Sequence, residues 1–268
     1  MRFFSSFFKI IYHLFKDRSM LWTLSKNDFK ARFASSMLGA VWAYIQPLAT
    51  ILVLWFVFQI GLRSGDVGDM PFIVWYTPAF LIWTFFQDTF ASMTNSIRDY
   101  SYLVRKVNFN VSLIPFVKLM SGCFVHIAFI GFIFLLNGIY GYYPTIYNLQ
   151  VLYYFFCTIA LLIGLGTLCA TITPFVGDMP NIVSVVLQVL FWATPIVWNA
   201  NILTPEVRWV MELNPMYYIC TGYRECFQTQ TWFWQRPETP WFWVGTLIVM
   251  FLGTYLFQKM EKDFVDVL

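Results

Sequence analysis

Charge is what this 268-residue chain has least of. Only 12% of its residues are Asp, Glu, Lys or Arg, about half of the roughly 25% usual in a soluble domain. Between Leu119 and Gly177 there is no such residue at all. No G-x-x-x-x-G-K-[ST] loop occurs, so the chain has no phosphate cradle for ATP of its own. Its five cysteines, Cys123, Cys157, Cys169, Cys220 and Cys226, form no C-x-x-C pair, which excludes the common zinc and dithiol motifs. H-E-x-x-H, a Ser/His/Asp grouping and a close carboxylate pair are also missing. A membrane glycosyl- or acyltransferase would need such groups clustered at the membrane surface. The small net charge of +3 gives no reason to expect a nucleic-acid partner.

What is present is apolar. Hydrophobic residues make up 59% of the chain and aromatics 21%, and the mean hydropathy is +0.63. Long charge-free runs of this kind mark an integral membrane protein, because a crossing helix needs ~20 apolar residues. The expected fold is all-α and polytopic, with six transmembrane helices at about 37–61, 71–97, 113–136, 149–173, 182–198 and 241–258. Residues 1–33 form an N-terminal interfacial helix and a basic collar, 34–260 the transmembrane domain, and 261–268 a cytoplasmic tail. Phe3, Phe4, Phe7, Phe8, Ile11, Leu14 and Phe15 recur at helical spacing among Arg2, Lys9, His13 and Lys16. That pattern predicts an amphipathic helix lying in the membrane interface. Lys9 breaks the apolar run and no small-x-small site follows, so it does not read as a signal peptide.

Thirteen of the seventeen basic residues fall in the N-terminal segment, the loop after the second span with its flank, and the tail. Positive residues stay on the cytoplasmic side, so six spans with both termini cytoplasmic satisfy the asymmetry. Residues 199–240 hold no uncharged run long enough to span. Asn214 and Pro215 offer a capped helix start, with Ile219, Tyr223 and Phe227 following at four-residue spacing. The expected structure there is an external or re-entrant helical hairpin.

Inside the spans, Gly164 and Gly166 predict close helix packing, His126 a hydrogen-bonded packing residue, and Asp88 a structural carboxylate or a functional one. Lys26, Lys30 and Arg32 precede the first span, and Trp42, Tyr44 and Trp55 lie within it. Trp83, Phe86 and Asp88 lie in the second. The collar suits an anionic head arriving from the cytoplasm. Most of the aromatics read as lipid-facing belts, and an inward-facing subset would let a sugar or polyol chain slide past.

One stretch carries a specific pattern. Asp28, Lys30, Arg32, Phe33, Ser36, Leu38, Gly39, Trp42 and Pro47 keep the spacing D-x-K-x-R-[YF]-x-x-S-x-L-G-x-x-W-x-x-x-x-P. Further on, Val104 to Phe109 matches a V-x-K-x-x-F-P run with Asn110 in place of Pro. Asn214, Pro215, Tyr223 and Arg224 match N-P-x-x-x-x-x-x-x-[YF]-R, and Gly177 precedes Asp178 where an Arg-Asp pair is common. In these runs the chain resembles ABC-2 type permeases that export cell-surface polysaccharides. Residues 149–158 and the terminal Asp-Phe-Val-Asp-Val-Leu look most like wall teichoic acid export permeases, with capsule and O-antigen permeases as near relatives.

The resemblance implies a half-transporter of the bacterial cytoplasmic membrane. A second copy would complete the path, and two soluble ATPase subunits carrying ATP and Mg would drive it. No cofactor or metal is implied on this chain. The cargo would be a lipid-linked anionic polymer such as teichoic acid, with capsule or O-antigen polysaccharide, or a small lipid or drug, as the alternative. The ATPase contact would be a coupling helix over Arg98, Asp99, Tyr100, Leu103, Val104, Arg105, Lys106 and Phe109, joined by Asp178.

Overall fold

The computed structural model describes residues 11–34, 36–63, 65–106, 109–229 and 231–268. Phe3 to Phe8 of the expected interfacial helix, and Val107 and Asn108 of the expected coupling segment, lie outside the described residues. Among the described residues the chain is helical without a β-strand. After a helical stretch at 11–16 come α1 (Arg18–Ala31), α2 (Trp42–Trp55), α3 (Phe72–Asp99), α4 (Ser101–Val104), α5 (Ile114–Ile139) and α6 (Gln150–Ile172). They are followed by α7 (Met179–Ala193), α8 (Pro205–Glu212), α9 (Pro215–Gln228), α10 (Thr239–Met260) and α11 (Phe264–Val267).

Local chemistry sets the boundaries. Helices α5, α7, α8, α9 and α10 carry proline in the first turn, where the missing N–H costs nothing and the fixed φ favours the helix. Helix α7 stops because Thr194 precedes Pro195 and adopts an extended conformation, as the residue before proline prefers. Helix α2 accommodates Pro47 and runs on into a wider π-helical turn at Phe56–Gly61.

Among the described residues, four helical segments are long and apolar enough to cross a membrane: Gly39–Gly61, Val111–Ile139, Ile146–Ile172 and Thr239–Met260. They correspond to the first, third, fourth and sixth expected spans. The second is α3, whose 28 residues reach about 42 Å but carry a polar stripe. The fifth is α7, whose 15 residues reach about 22 Å, short of the roughly 30 Å hydrocarbon core.

Helix α3 is the hub, with α2, α5, α6, α7 and α9 packed around it. Helix α10 packs along α6. At that contact Gly164 does what its position predicted, since a methyl there would sit 2.8 Å from the Met250 amide nitrogen. Gly253 faces the Gly164 carbonyl in turn. Gly166 makes room for Met93 of α3. A second, smaller core of Ile97, Val104, Ile114, Ala170, Phe257 and Phe264 closes the end where the basic residues gather.

Candidate functional site

A groove of about 990 Å³ opens between α2, α3, α5 and α7. Its floor is aromatic, with Trp83 and Phe85 of α3 and Phe191 and Trp192 of α7. Polar residues at helical spacing run along it: Gln46 and Thr50 on α2, Thr84, Gln87, Asp88 and Ser92 on α3, and Ser184 and Gln188 on α7. The Asp88 carboxylate is exposed to this space. Trp83 donates its indole N–H to the Gln87 Oε1 at 2.8 Å, which holds the amide in the wall. His126 sits in the inner wall as the packing residue its apolar helix predicted. Its ring lies 4.8 Å from Phe85 and 5.0 Å from Phe155, and its Nε2 is 3.0 Å from the Tyr223 hydroxyl.

Arg32, Asp99 and Lys118 line one end of the groove. There Lys118 bridges two carboxylates, 2.9 Å from Asp28 and 2.9 Å from Asp99. Tyr100 donates to Asp28 at 2.9 Å, and Arg32 lies 3.5 Å from the other Asp28 oxygen. The Asp28 and Lys118 side chains are only 6% and 11% exposed. Burial alone would raise the Asp28 carboxyl, but the Lys118 ammonium and the Tyr100 hydroxyl outweigh it and hold the group below the usual carboxylate range. The Tyr100 hydroxyl is pushed up by the same burial and by the Asp28 charge. This cluster fastens α1 to α5, assisted by Trp22 and Phe29 edge-on to Phe124.

Beside the mouth, α3 ends and the chain makes the single turn α4. Leu103 and Val104 are buried, Val104 in the second core. Tyr102, Arg105 and Lys106 remain exposed. Arg98 donates to the Gly177 carbonyl at 3.3 Å, which brings the exposed Asp178 loop onto the same face. Helix α11 folds back beneath, with Phe264 fully buried and half-buried Phe109 packed on the same cluster. Arg105 donates to the Leu268 carbonyl.

At the opposite end of α3, the Asn-Pro…Tyr-Arg motif closes over the break that ends α7. Asn214 accepts from the Met216 amide at 3.0 Å, capping α9, and donates to the Thr194 hydroxyl at 2.8 Å. Arg224 is buried, stacks 3.8 Å over Trp75, and donates to the carbonyls of Pro195 and of Ile196, the latter at 3.0 Å. The broken backbone thus finds its hydrogen bonds from a side chain, as it must where water is absent.

Of the residues expected along the path, the structure places Arg32, Trp83 and Asp88 on the groove. Lys26 and Lys30 are exposed on α1, with the Lys26 ammonium 5.0 Å above Trp22. Tyr44 packs on Phe129, Phe86 is buried, and Trp42 and Trp55 lie away from the lining. Gln46, Thr50, Gln87, Ser92, Lys118, Ser184 and Gln188 were missed. The signal was available: pairs of small polar residues four apart, such as Gln46 and Thr50 or Ser184 and Gln188, inside otherwise apolar helices. Asp28 appeared only as a motif letter, and Lys118 only as one more basic flank residue.

Residues 19–227 match the family described as ABC-2 type transporter. The chain is also similar to an O-antigen export system permease protein RfbA of Klebsiella pneumoniae, 23% identical over 272 residues, or 97% of this chain and 99% of that protein. A protein of the same name from Myxococcus xanthus is 24% identical over 221 residues, covering 82% of this chain and 84% of its own.

Proposed function

The chain belongs to the ABC-2 type transporter family, and from that premise we propose that it is the membrane half of an exporter for a lipid-linked cell-surface polysaccharide. The observation that carries this reading is the groove. An exposed carboxylate and a file of amides and hydroxyls cannot face hydrocarbon at acceptable cost. A second copy set against α2 and α7 would enclose the file and leave a wet, aromatic-floored path between two subunits. The relatives named as O-antigen permeases favour a polysaccharide over teichoic acid as cargo.

In this reading both termini and the mouth of the groove are cytoplasmic, and the membrane is the bacterial plasma membrane. Lys26 and Lys30, exposed on the approach, attract the anionic head by hydrated charge, each contributing ~1 kcal/mol near an anionic surface, while Lys118 and Arg32 brace the mouth through Asp28. The sugar chain then passes over Phe191 and Trp192, turning its hydroxyls toward Gln87, Asp88 and Gln188. Work comes from ATP and Mg on two ATPase subunits, which dock on Tyr102, Arg105, Lys106 and Asp178. Leu103, Val104 and Phe109 support that surface from beneath.

Gln87→Leu combined with Gln188→Leu tests the path. Expected is normal insertion and ATPase assembly, with transfer of lipid-linked polysaccharide in proteoliposomes reduced about tenfold, the equivalent of ~1.4 kcal/mol of lost pathway contact. Undiminished transfer by the double variant would remove the groove from the pathway.

A further inference from the structure

A second crevice, of about 670 Å³, shares no residue with the groove. It lies between α6, the α8–α9 turn and the first turns of α10. That volume is in the range of small-molecule sites. Leu161 and Leu165 of α6 and Val244, Gly245 and Val249 of α10 give it an apolar lining. Trp241 and Val249 both line it, and eight residues of helix separate them by about 12 Å. That is close to the thickness of one leaflet of a roughly 30 Å hydrocarbon core.

The mouth is built differently. Trp209 and Trp241 stand 63% and 76% exposed beside it, as indoles do at a membrane interface. Glu212 and Glu238 line the same end. Glu212 accepts from Arg208 at 3.1 Å, and that arginine is 45% exposed. Arg236 is held between Glu225 at 3.3 Å and Glu238 at 3.6 Å. Two carboxylates, Glu212 and Glu238, therefore line the mouth of an apolar slot of one-leaflet depth, while the arginines paired with them, Arg208 and Arg236, lie outside the lining.

We propose that this crevice binds one membrane phospholipid with a primary-amine head, of the phosphatidylethanolamine class. Its acyl chain lies between α6 and α10. Its ammonium sits between the Glu212 carboxylate and the indole faces, where an aromatic ring and a carboxylate both attract a cation. Its phosphate meets the exposed donors of Arg208. With two carboxylates and no arginine or lysine in the lining, the crevice selects a zwitterion over a net-anionic lipid. A lipid seated there ties the α8–α9 hairpin to α10. The assignment does not depend on the cargo proposed above. With both termini cytoplasmic, as proposed above, the lipid belongs to the outer leaflet, and only that placement rests on the orientation.

The test uses the full chain purified from membranes in the assembly it forms there. Detergent-stripped protein is titrated with phosphatidylethanolamine, with phosphatidylglycerol of the same acyl chains, or with a polyprenyl phosphate, and bound lipid is counted by native mass spectrometry. Phosphatidylethanolamine should bind more tightly than phosphatidylglycerol. Glu212→Gln should reduce that preference roughly two- to five-fold, the scale of one exposed ion pair, while leaving chain binding. Gly245→Leu should abolish retention of both phospholipids. A side chain added there starts in open space, with no atom within 4 Å of its Cβ, so it occupies the crevice without disturbing the fold. Equal binding of the two phospholipids by the parent chain, unchanged retention by Gly245→Leu, or retention of polyprenyl phosphate alone would each overturn the assignment.

Discussion

Helices α2 and α3 are neighbours in sequence and in space, yet α2 buries only Pro47 and Ile51 while α3 buries nineteen of its 28 residues. Helix α2 lies in a segment apolar enough to span a membrane, and α3 is not among such segments. In water this pairing of the apolar helix with the surface would be perverse. In a bilayer the surrounding lipid is as apolar as a core, so hydrophobicity does not separate inside from outside. The polar helix must go inside, because only protein or enclosed water can satisfy its Thr, Gln, Asn and Asp side chains.

Substitutions should reveal this contrast. Trp83, 1% exposed in α3, is the most sensitive position: Trp83→Ala should lower stability by about 3–5 kcal/mol, read as a large fall in the melting temperature of the purified protein. A loss below about 1 kcal/mol would show that α3 is not the structural hub.

Almost as large is the effect expected at the mouth. Lys118→Ala leaves Asp28 and Asp99 without their shared cation and should cost about 3 kcal/mol or more. The double variant Lys118→Met with Asp28→Asn removes both charges together and should recover much of that loss. The same melting measurement decides, and equal losses in single and double variants would show that the cluster is not coupled. Asp28 titrates lower in the folded chain than its ordinary value of about 3.9. Its stabilisation is therefore fully present above that pH and is lost only as pH falls through the lower, folded-state value. The melting temperature of the double variant should be the less sensitive of the two to acid in that range.

A smaller but more telling pair lies on the segment proposed to meet the ATPase. Val104→Asp places a charge in the second core and should lower stability by roughly 2 kcal/mol or more. Tyr102→Asp changes a side chain that is 58% exposed and should leave melting within about 0.5 kcal/mol while lowering ATPase-coupled transport. The reverse pattern, with Tyr102 governing stability and Val104 only transport, would invert the assignment of that surface. Last and smallest is α2 itself. Val53 is 60% exposed, and Val53→Ala should shift stability by no more than about 0.5 kcal/mol. A shift of 2 kcal/mol would mean that α2 is packed by protein along that face.

Most of the helices could be read from the chain because their causes are local: charge-free runs of sufficient length, prolines in first turns, and glycines where helices approach. The groove was legible only in fragments. Arg32 and Asp88 stood out because charge is rare here, while Gln46, Gln87 and Gln188 come from three helices and form a file only when those helices meet. The aromatics misled for the opposite reason. Trp42, Tyr44, Trp55 and Phe86 share the composition of Trp83, and no sequence period distinguishes a ring facing lipid from one facing a path when both surroundings are apolar.

From its amino acids alone the chain was bound to be a helical membrane protein, because the absence of charge over lengths of ~20 residues is a property of the covalent order, and its motif runs carried the resemblance to ABC-2 permeases. Tertiary structure decided the rest. It set which helix became the hub, turned Asp28 and Lys118 from motif letter and flank residue into a buried clasp, and gave Arg224 the broken end of α7 to hold. Those outcomes depend on contacts between residues about 30 to 150 positions apart. A buried charge or an open carbonyl is stable only once its partner arrives from elsewhere in the fold.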